Sequence, residues 1–310
     1  MAAQAAEPEL RAIVLGSAAG GGFPQWNCNC RNCAGYRAGR PGLEARSQSS
    51  LAVSANGTDW ALLNASPDLR QQLAATPALH PPDDAARGSP IKAVLLTNGD
   101  IDHVAGLLTL REGQPLRLLA TAEIHAILAA NPIFTALAPG LVLRETVKPG
   151  ETVELVPGLR ATLFPVPGKV PLYLEDGSVE TDLIGEQTVG VEIASTKGKR
   201  LHYIPGCARM TEDLAVRLEG CGAILFDGTL WTNDEMIAEG LGQKTGRRMG
   251  HMPMSGPDGA IAALARINAG RKIFVHINNT NPVLDARGPE RAEAESAGWE
   301  IGHDGMEIML

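Results

Sequence analysis

The chain has 310 residues, of which 44% are hydrophobic, 4% aromatic and 20% charged, with a formal net charge of −8 at pH 7. That length and apolar content bury a large core, while the negative balance argues against a broadly nucleic-acid-binding surface and the few aromatics leave little on which single-stranded bases could stack. Residues 1–9 are small and acidic rather than a basic, apolar leader, and no apolar run has the length of a bilayer span, so the expectation is a soluble, cytoplasmic protein with reduced thiols, built as a single domain over residues 1–310, with neither nucleic acid nor membrane as a partner.

A short apolar strand at 11–15 runs into a glycine-rich loop and then into Cys28-Asn29-Cys30-Arg31-Asn32-Cys33. Thiolate is a favoured ligand of structural Zn²⁺, and three thiols at C-x-C-x-x-C spacing reach one tetrahedral ion. The fourth ligand must come from far along the chain, which would pin this loop to a distant element. A disulfide within the run is the competing reading, and a reducing compartment disfavours it. Cys207 and Cys221 stand alone in apolar surroundings and read as core or loop residues.

Strand patterns follow at 50–53, 60–64, 93–97 and 117–120, then at 152–156, 161–165, 188–194, 200–204, 223–226 and 272–276, most of them bounded by Gly, Pro, Asn or Asp. Helical patterns lie between them at 66–75 (Ser66 as N-cap, Pro67 at the first helical position), 103–111, 122–131, 210–219 and 257–269, and Thr232-Asn233-Asp234-Glu235-Met236 reads as a capped helix start. Residues 81–90 form a surface loop, and the 35 glycines and 21 prolines imply many turns. Two series of strands with attached helices suggest two sheets packed face to face with helices outside, a four-layer αββα sandwich; periodicity alone leaves a three-layer α/β fold equally open.

The apolar strand at 93–97 is followed by Asn98-Gly99-Asp100-Ile101-Asp102-His103, and loops after strands are where a rigid sheet holds functional side chains. Asp102 and His103 are adjacent, His276 closes the apolar strand at 272–276, and Asp227 closes the one at 223–226. Asp100 stands two residues before Asp102, as an outer partner, ligand or proton acceptor, or as a solvated loop carboxylate. Asp227 reads either as acceptor from a metal-bound histidine or substrate hydroxyl, or as a turn cap. His202, alternating with apolar residues, reads as a core histidine, and His80, His125 and His303 carry no supporting context.

The segment from Thr97 to Gly106 resembles the metallo-β-lactamase superfamily signature T-H-x-H-x-D-H-x-x-G, with Asn98 and Asp100 in place of its first two histidines. The superfamily's third histidine would fall near 164–168 and its bridging aspartate near Gly206, and neither is present. What survives is Asp102, His103 and His276. Two imidazoles and one carboxylate with open positions are the ligand set of non-haem Fe²⁺ oxygenases, and a single Zn²⁺ with bound water fits the same set. Loss of a complete site argues against two-metal phosphodiester hydrolysis. By resemblance to the superfamily's phosphonate-pathway cyclic phosphodiesterases, in which a histidine in this neighbourhood completes a C-x-C-x-x-C zinc site, His251 is the expected fourth ligand beside Cys28, Cys30 and Cys33.

Taken in order, LGSAAGGGFPQWNCNCRNC, TNGDIDHVAGLLTLREG, FDGTLWTNDEM, GHMPMSG and FVHINNTNP are similar to the PQQ-synthesis B family, with matches spread from Leu15 to Pro282. The resemblance implies a metallo-β-lactamase-like fold, a structural Zn²⁺, and work on pyrroloquinoline quinone (PQQ) made from a peptide carrying Glu and Tyr. It further implies an Fe²⁺- and O₂-dependent hydroxylation of the tyrosine ring in a Glu–Tyr-derived precursor of the peptide PqqA. A carboxylate-bearing substrate needs cations, for which Arg247 and Arg248 are the candidates, with Lys169, Arg209 and Arg111 behind them. A carrier for the finished quinone and a mononuclear zinc hydrolase are the alternatives, and a homodimer is compatible with each.

Overall fold

A computed structural model describes residues 9–82, 86–177 and 179–310; the opening residues 1–8 and part of the loop expected at 81–90 lie outside the described residues. Among the described residues no helix is long and apolar enough to cross a membrane. The first series of strands is β1 (Arg11–Gly16), β2 (Ser50–Ser54), β3 (Trp60–Leu63), β4 (Ile91–Leu95), β5 (Leu116–Ala120) and β6 (Val142–Thr146). The second is β7 (Thr152–Val156), β8 (Leu159–Pro165), β9 (Val189–Ser195), β10 (Arg200–Ile204), β11 (Cys221–Asp227), β12 (Ala269–Val275) and β13 (Glu300–Ile301), after which β14 (Glu307–Met309) returns to pair with β1. They make two seven-stranded mixed sheets, ordered β14-β1-β2-β3-β4-β5-β6 and β13-β12-β11-β10-β9-β8-β7.

Side-chain alternation explains why the sheets stack and are covered outside. On β11, Ala223 and Leu225 enter the core shared by both sheets, whereas Ile224 and Phe226 enter a second core on the outer face; on β12, Ile273 and Val275 point inward and Phe274 outward. A period of two buries both faces of these strands, so something must cover the outer one. The helices do so: α1 (Arg31–Arg37), α2 (Leu69–Ala75), α3 (Ile101–Val104), α4 (Ala122–Ala130), α5 (Glu212–Leu218), α6 (Glu235–Ala238), α7 (Ala260–Ala263) and α8 (Pro289–Ser296). Trp299, just after α8, stacks on Phe274 at a centroid distance of 3.8 Å and meets Phe226 edge-on. The result is the expected αββα sandwich.

Several helix expectations were too long. The 66–75 helix starts at Leu69, because Ser66 turns its hydroxyl to Gln72 Oε1 (3.1 Å) and does not cap. The 257–269 helix shrinks to α7, and β12 already begins at Ala269. The 103–111 helix becomes α3 followed by a 3₁₀ stretch, Ala105–Arg111. Here Gly106 donates its N–H to Ala65 O (2.8 Å), and a Cβ on it would lie 2.1 Å from Ser66 O. The same segment is tied by Ala65 N to His103 O (2.7 Å), so this close approach fixes the backbone of His103. Gly106→Ala is therefore expected to destabilise the protein by about 3 kcal/mol, the upper range for overpacking against fixed backbone, as read from a shift in the urea midpoint.

β10, β11 and β12 run parallel, with Ile204 opposite Phe226 and Asp227 opposite Val275. Their C-terminal ends therefore deliver Gly206, Asp227 and His276 side by side, and the end of β4 on the other sheet delivers residues 98–103 to the same edge.

Candidate metal centre

Asp102, His103 and His276 converge there, each offering one ligand atom, all within 4.8 Å of one another. Neighbours set the tautomer of each ring. His103 Nδ1 lies 2.6 Å from Asn98 Oδ1, an acceptor, so Nδ1 carries the proton and Nε2 is left as a buried acceptor without a partner. Burial holds the His103 pKa down to about 4 against the pull of Asp102, which keeps the ring neutral and ready to ligate. His276 Nδ1 lies 2.8 Å from Thr229 Oγ1, whose own proton goes to Asp227 Oδ1 (2.6 Å); Nδ1 of His276 is thus a donor and Nε2 faces Asp102 Oδ2 at 3.0 Å.

Burial alone would discharge His276, but the hydrogen bond and charge of Asp102, with Asp227 behind, raise its pKa. For Asp102 burial is likewise outweighed, by His103 and His276, and its pKa falls well below the carboxylate range. A proton shared between Asp102 and His276, with an orphaned nitrogen on His103 beside them, is the pattern a cation would replace, and donors of this type fit one divalent ion. His276 also has a φ of +56°, a left-handed conformation rare outside glycine. It is held by Ile277 N, which donates to Ser17 O (2.9 Å). Strain of this kind persists where surrounding structure over-determines it.

Asp100 lines the same cavity, of about 440 Å³, and burial beside Asp102 pushes its pKa up to about 6. Asp227 is fully buried and accepts from Cys207 N, Thr229 N, Thr229 Oγ1 and His251 Nδ1 at 2.6–3.0 Å, so it orients both His276, through Thr229, and His251. Of the expected cations, only Lys169 lines the cavity. Arg248 stands behind it on Glu175, Arg247 is exposed, Arg209 pairs with Asp182 (3.1 Å), and Arg111 pairs with Glu112 (3.4 Å). Sequence reasoning missed Lys244, which has no motif, and the orienting roles of Asn98 and Thr229, visible only once the rings are placed.

The three thiols also converge, with Cys30 capping α1 by accepting Cys33 N. His251 is not with them. It belongs to the first site, 2.7 Å from Asp227 and stacked on His276 at 5.2 Å. The fourth side of the thiol cluster is covered by Asn279, whose Nδ2 lies 3.1 Å from Cys28 Sγ and 3.5 Å from the sulfurs of Cys30 and Cys33. Burial pushes the Cys30 thiol up to about 12, so Cys30 ionises only with a cation beside it, and the three-sulfur set fits a Zn²⁺. Asn32 Nδ2 holds the carbonyls of residues 279–281 at 2.9–3.2 Å.

Beside this cluster Thr280 Oγ1 and Trp231 N both donate to the buried carboxyl of Glu235. Burial raises its pKa from 4.5 to about 7 despite those bonds. A raised folded-state value means stability fully present below the unfolded pKa and lost as pH rises through about 7. Wild type should therefore lose on the order of 3 kcal/mol relative to Glu235→Gln between about pH 4 and pH 8, at 1.36 kcal/mol per unit. Urea denaturation of both proteins at the two pH values reads it; parallel curves would refute the assignment.

A two-sheet sandwich with a histidine–aspartate metal edge defines the metallo-β-lactamase-like class, and residues 59–277 match the family model described as a Beta-lactamase superfamily domain. Within that class the chain belongs to the coenzyme PQQ synthesis protein B family. It is 60% identical to coenzyme PQQ synthesis protein B of Methylobacterium nodulans over 97% of this chain and 100% of that one. The solved structure of Zn²⁺-bound PqqB from Methylobacterium extorquens is 57% identical, with a TM-score of 0.95 over 97% of this chain and 100% of that one. A diphosphatase of the PhnP family, 20% identical, shares the fold at a TM-score of 0.66 over 97% of both chains.

Proposed function

We propose that the chain acts in PQQ biosynthesis as an Fe²⁺- and O₂-dependent hydroxylase of the tyrosine ring in a Glu–Tyr-derived precursor of PqqA. The observation that carries this reading is the set Asp102, His103 and His276, two neutral-capable imidazoles and one carboxylate opening on a cavity. These three residues would hold the Fe²⁺, which when bound supplies the one-electron steps by which O₂ reacts with an aromatic ring. The chain's own residues do the rest. Asn98 and Thr229 hold the two rings with Nε2 forward. Asp100, with its pKa near 6, is placed to take a phenolic proton. Ile101, Leu172 and Met249 offer apolar wall to the ring, and Lys169 with Lys244 offers charge to carboxylates. Cys28, Cys30 and Cys33, with Asn279 turning its amide oxygen inward, would hold a structural Zn²⁺.

Hydroxylation places one oxygen atom on the ring and reduces the other to water, so the assay is O₂ uptake by iron-loaded protein with a Glu–Tyr peptide and ascorbate as reductant. Uptake with a mass gain of one oxygen per hydroxylation is expected. No uptake at any iron loading, with activated esters cleaved by the zinc-loaded protein instead, would sink the reading in favour of the hydrolase.

A further inference from the structure

At the cavity mouth one carboxylate carries three cations. Glu175 lies 3.0 Å from Lys169 Nζ, 3.3 Å from Lys244 Nζ and 3.0 Å from Arg248 Nη2, with its side chain largely buried. The three cations do not engage it alike. Arg248 uses both guanidinium nitrogens, Nη1 on Oε1 (3.3 Å) and Nη2 on Oε2 (3.0 Å), which is the planar fork that suits a carboxylate. Each lysine takes one oxygen only: Lys169 on Oε1 and Lys244 on Oε2. Lys169 and Lys244 are also the two that line the cavity, whereas Arg248 stands behind. The Lys169 stem passes Gly250, where an added Cβ would come within 3.2 Å of its Cγ.

Two consequences follow from charge and geometry. Within this cluster one carboxylate against three cations leaves an excess of two positive charges, across the cavity from Asp100 and Asp102, in a chain whose net charge is −8. If the lysines turn away to a ligand, Glu175 keeps its bidentate partner, so releasing them leaves no buried charge unpaired.

We propose that Lys169 and Lys244 form a subsite for a ligand bearing two or more carboxylates, and that Glu175 sets its selectivity as a built-in competing anion held in place by Arg248. The proposal rests on the reading that the cavity receives a Glu–Tyr-derived substrate, and it names what recognises that substrate. Glu175 acts through the lysines and is a positioning residue. A mono-anion meets lysines already occupied, whereas a ligand with two carboxylates offers each lysine a partner of its own.

The test is calorimetric titration of the full-length protein as purified, under nitrogen and without added iron, so that binding is read apart from turnover. The probes are the dipeptide Glu–Tyr and its neutralised counterpart, Gln–Tyr amide. The Lys169→Met/Lys244→Met double variant keeps both aliphatic stems and should weaken Glu–Tyr binding by about tenfold or more while leaving the amide unchanged. Glu175→Gln should tighten Glu–Tyr, by roughly threefold at the strength of a partly exposed ion pair, and Glu175→Asp should return it towards wild type. A merely structural Glu175 would weaken both probes on substitution, and that result overturns the proposal, as does a wild-type protein that binds the two probes equally or binds neither. Charge-dependent binding without O₂ uptake would retire the hydroxylase and keep this subsite; uptake with no effect of the lysines would do the reverse.

Discussion

His276→Ala is expected to strip the active-site metal and lower product formation by more than ~100-fold, since losing even an outer partner of a ligand costs 10–100-fold. His276 is the residue on which the site converges: its Nε2 meets Asp102 at 3.0 Å, its Nδ1 meets Thr229 at 2.8 Å, and His251 stacks on its ring. Removing the imidazole leaves Asp102 and His103 as two donors, too few to hold Fe²⁺ against water. Metal analysis should show the loss confined to this site, with the thiol-bound zinc retained. Asn98→Ala is the graded companion, because it frees the His103 ring to turn without deleting a donor; a loss of about 10-fold in metal affinity is expected. Full iron occupancy in His276→Ala would show that the metal, if any, is held elsewhere.

The second large effect is at the thiols. Cys30→Ser should release the structural zinc and cost on the order of 4 kcal/mol or more, the range reached when a metal is lost. Cys30 both offers a sulfur and caps α1, so two supports go together. Asn279→Ala should lower zinc occupancy while the three sulfurs remain, and Asn279→His, which restores a strong donor, should recover it. If Asn279→Ala keeps a full complement of zinc after dialysis against a chelator, the amide only covers the cluster. Thermal melts with and without chelator separate the cases, since only a zinc-bearing protein loses stability on chelation.

The strands and the three clustered thiols were legible from local pattern, whereas the sandwich, and Asp102, His103 and His276 as a set, were legible only through the resemblance to the metallo-β-lactamase signature. Strands bounded by turn residues fall within a few positions of those observed, and Asp102, His103 and His276 meet although 174 positions separate the first from the last. Short helices were not legible: around Gly106 and Ala260 the sequence carries helical periodicity, and tertiary contact overrides it. His251 was misplaced for a physical reason. A histidine after a glycine-rich turn is as able to complete a thiol site as a carboxylate–histidine edge, and only the register of β10, β11 and β12 puts Asp227 within its reach. Asn279 was hidden in an asparagine-rich run in which nothing local separates the one amide that faces the sulfurs from its neighbours. The basic residues resisted for the usual reason that solvated charges carry no periodicity.

Both clusters are completed by a single stretch of six residues near the end of the chain, His276 to Asn281, while their other members come from residues 28–33 and 102–103. During synthesis the thiols and the Asp102–His103 pair emerge long before this stretch exists, and neither can close around an ion until the second sheet has formed and docked. Contacts of such sequence separation arrive late in folding. The two clusters thus share one late-formed support, and a chain cut short before His276 would lack a member of each.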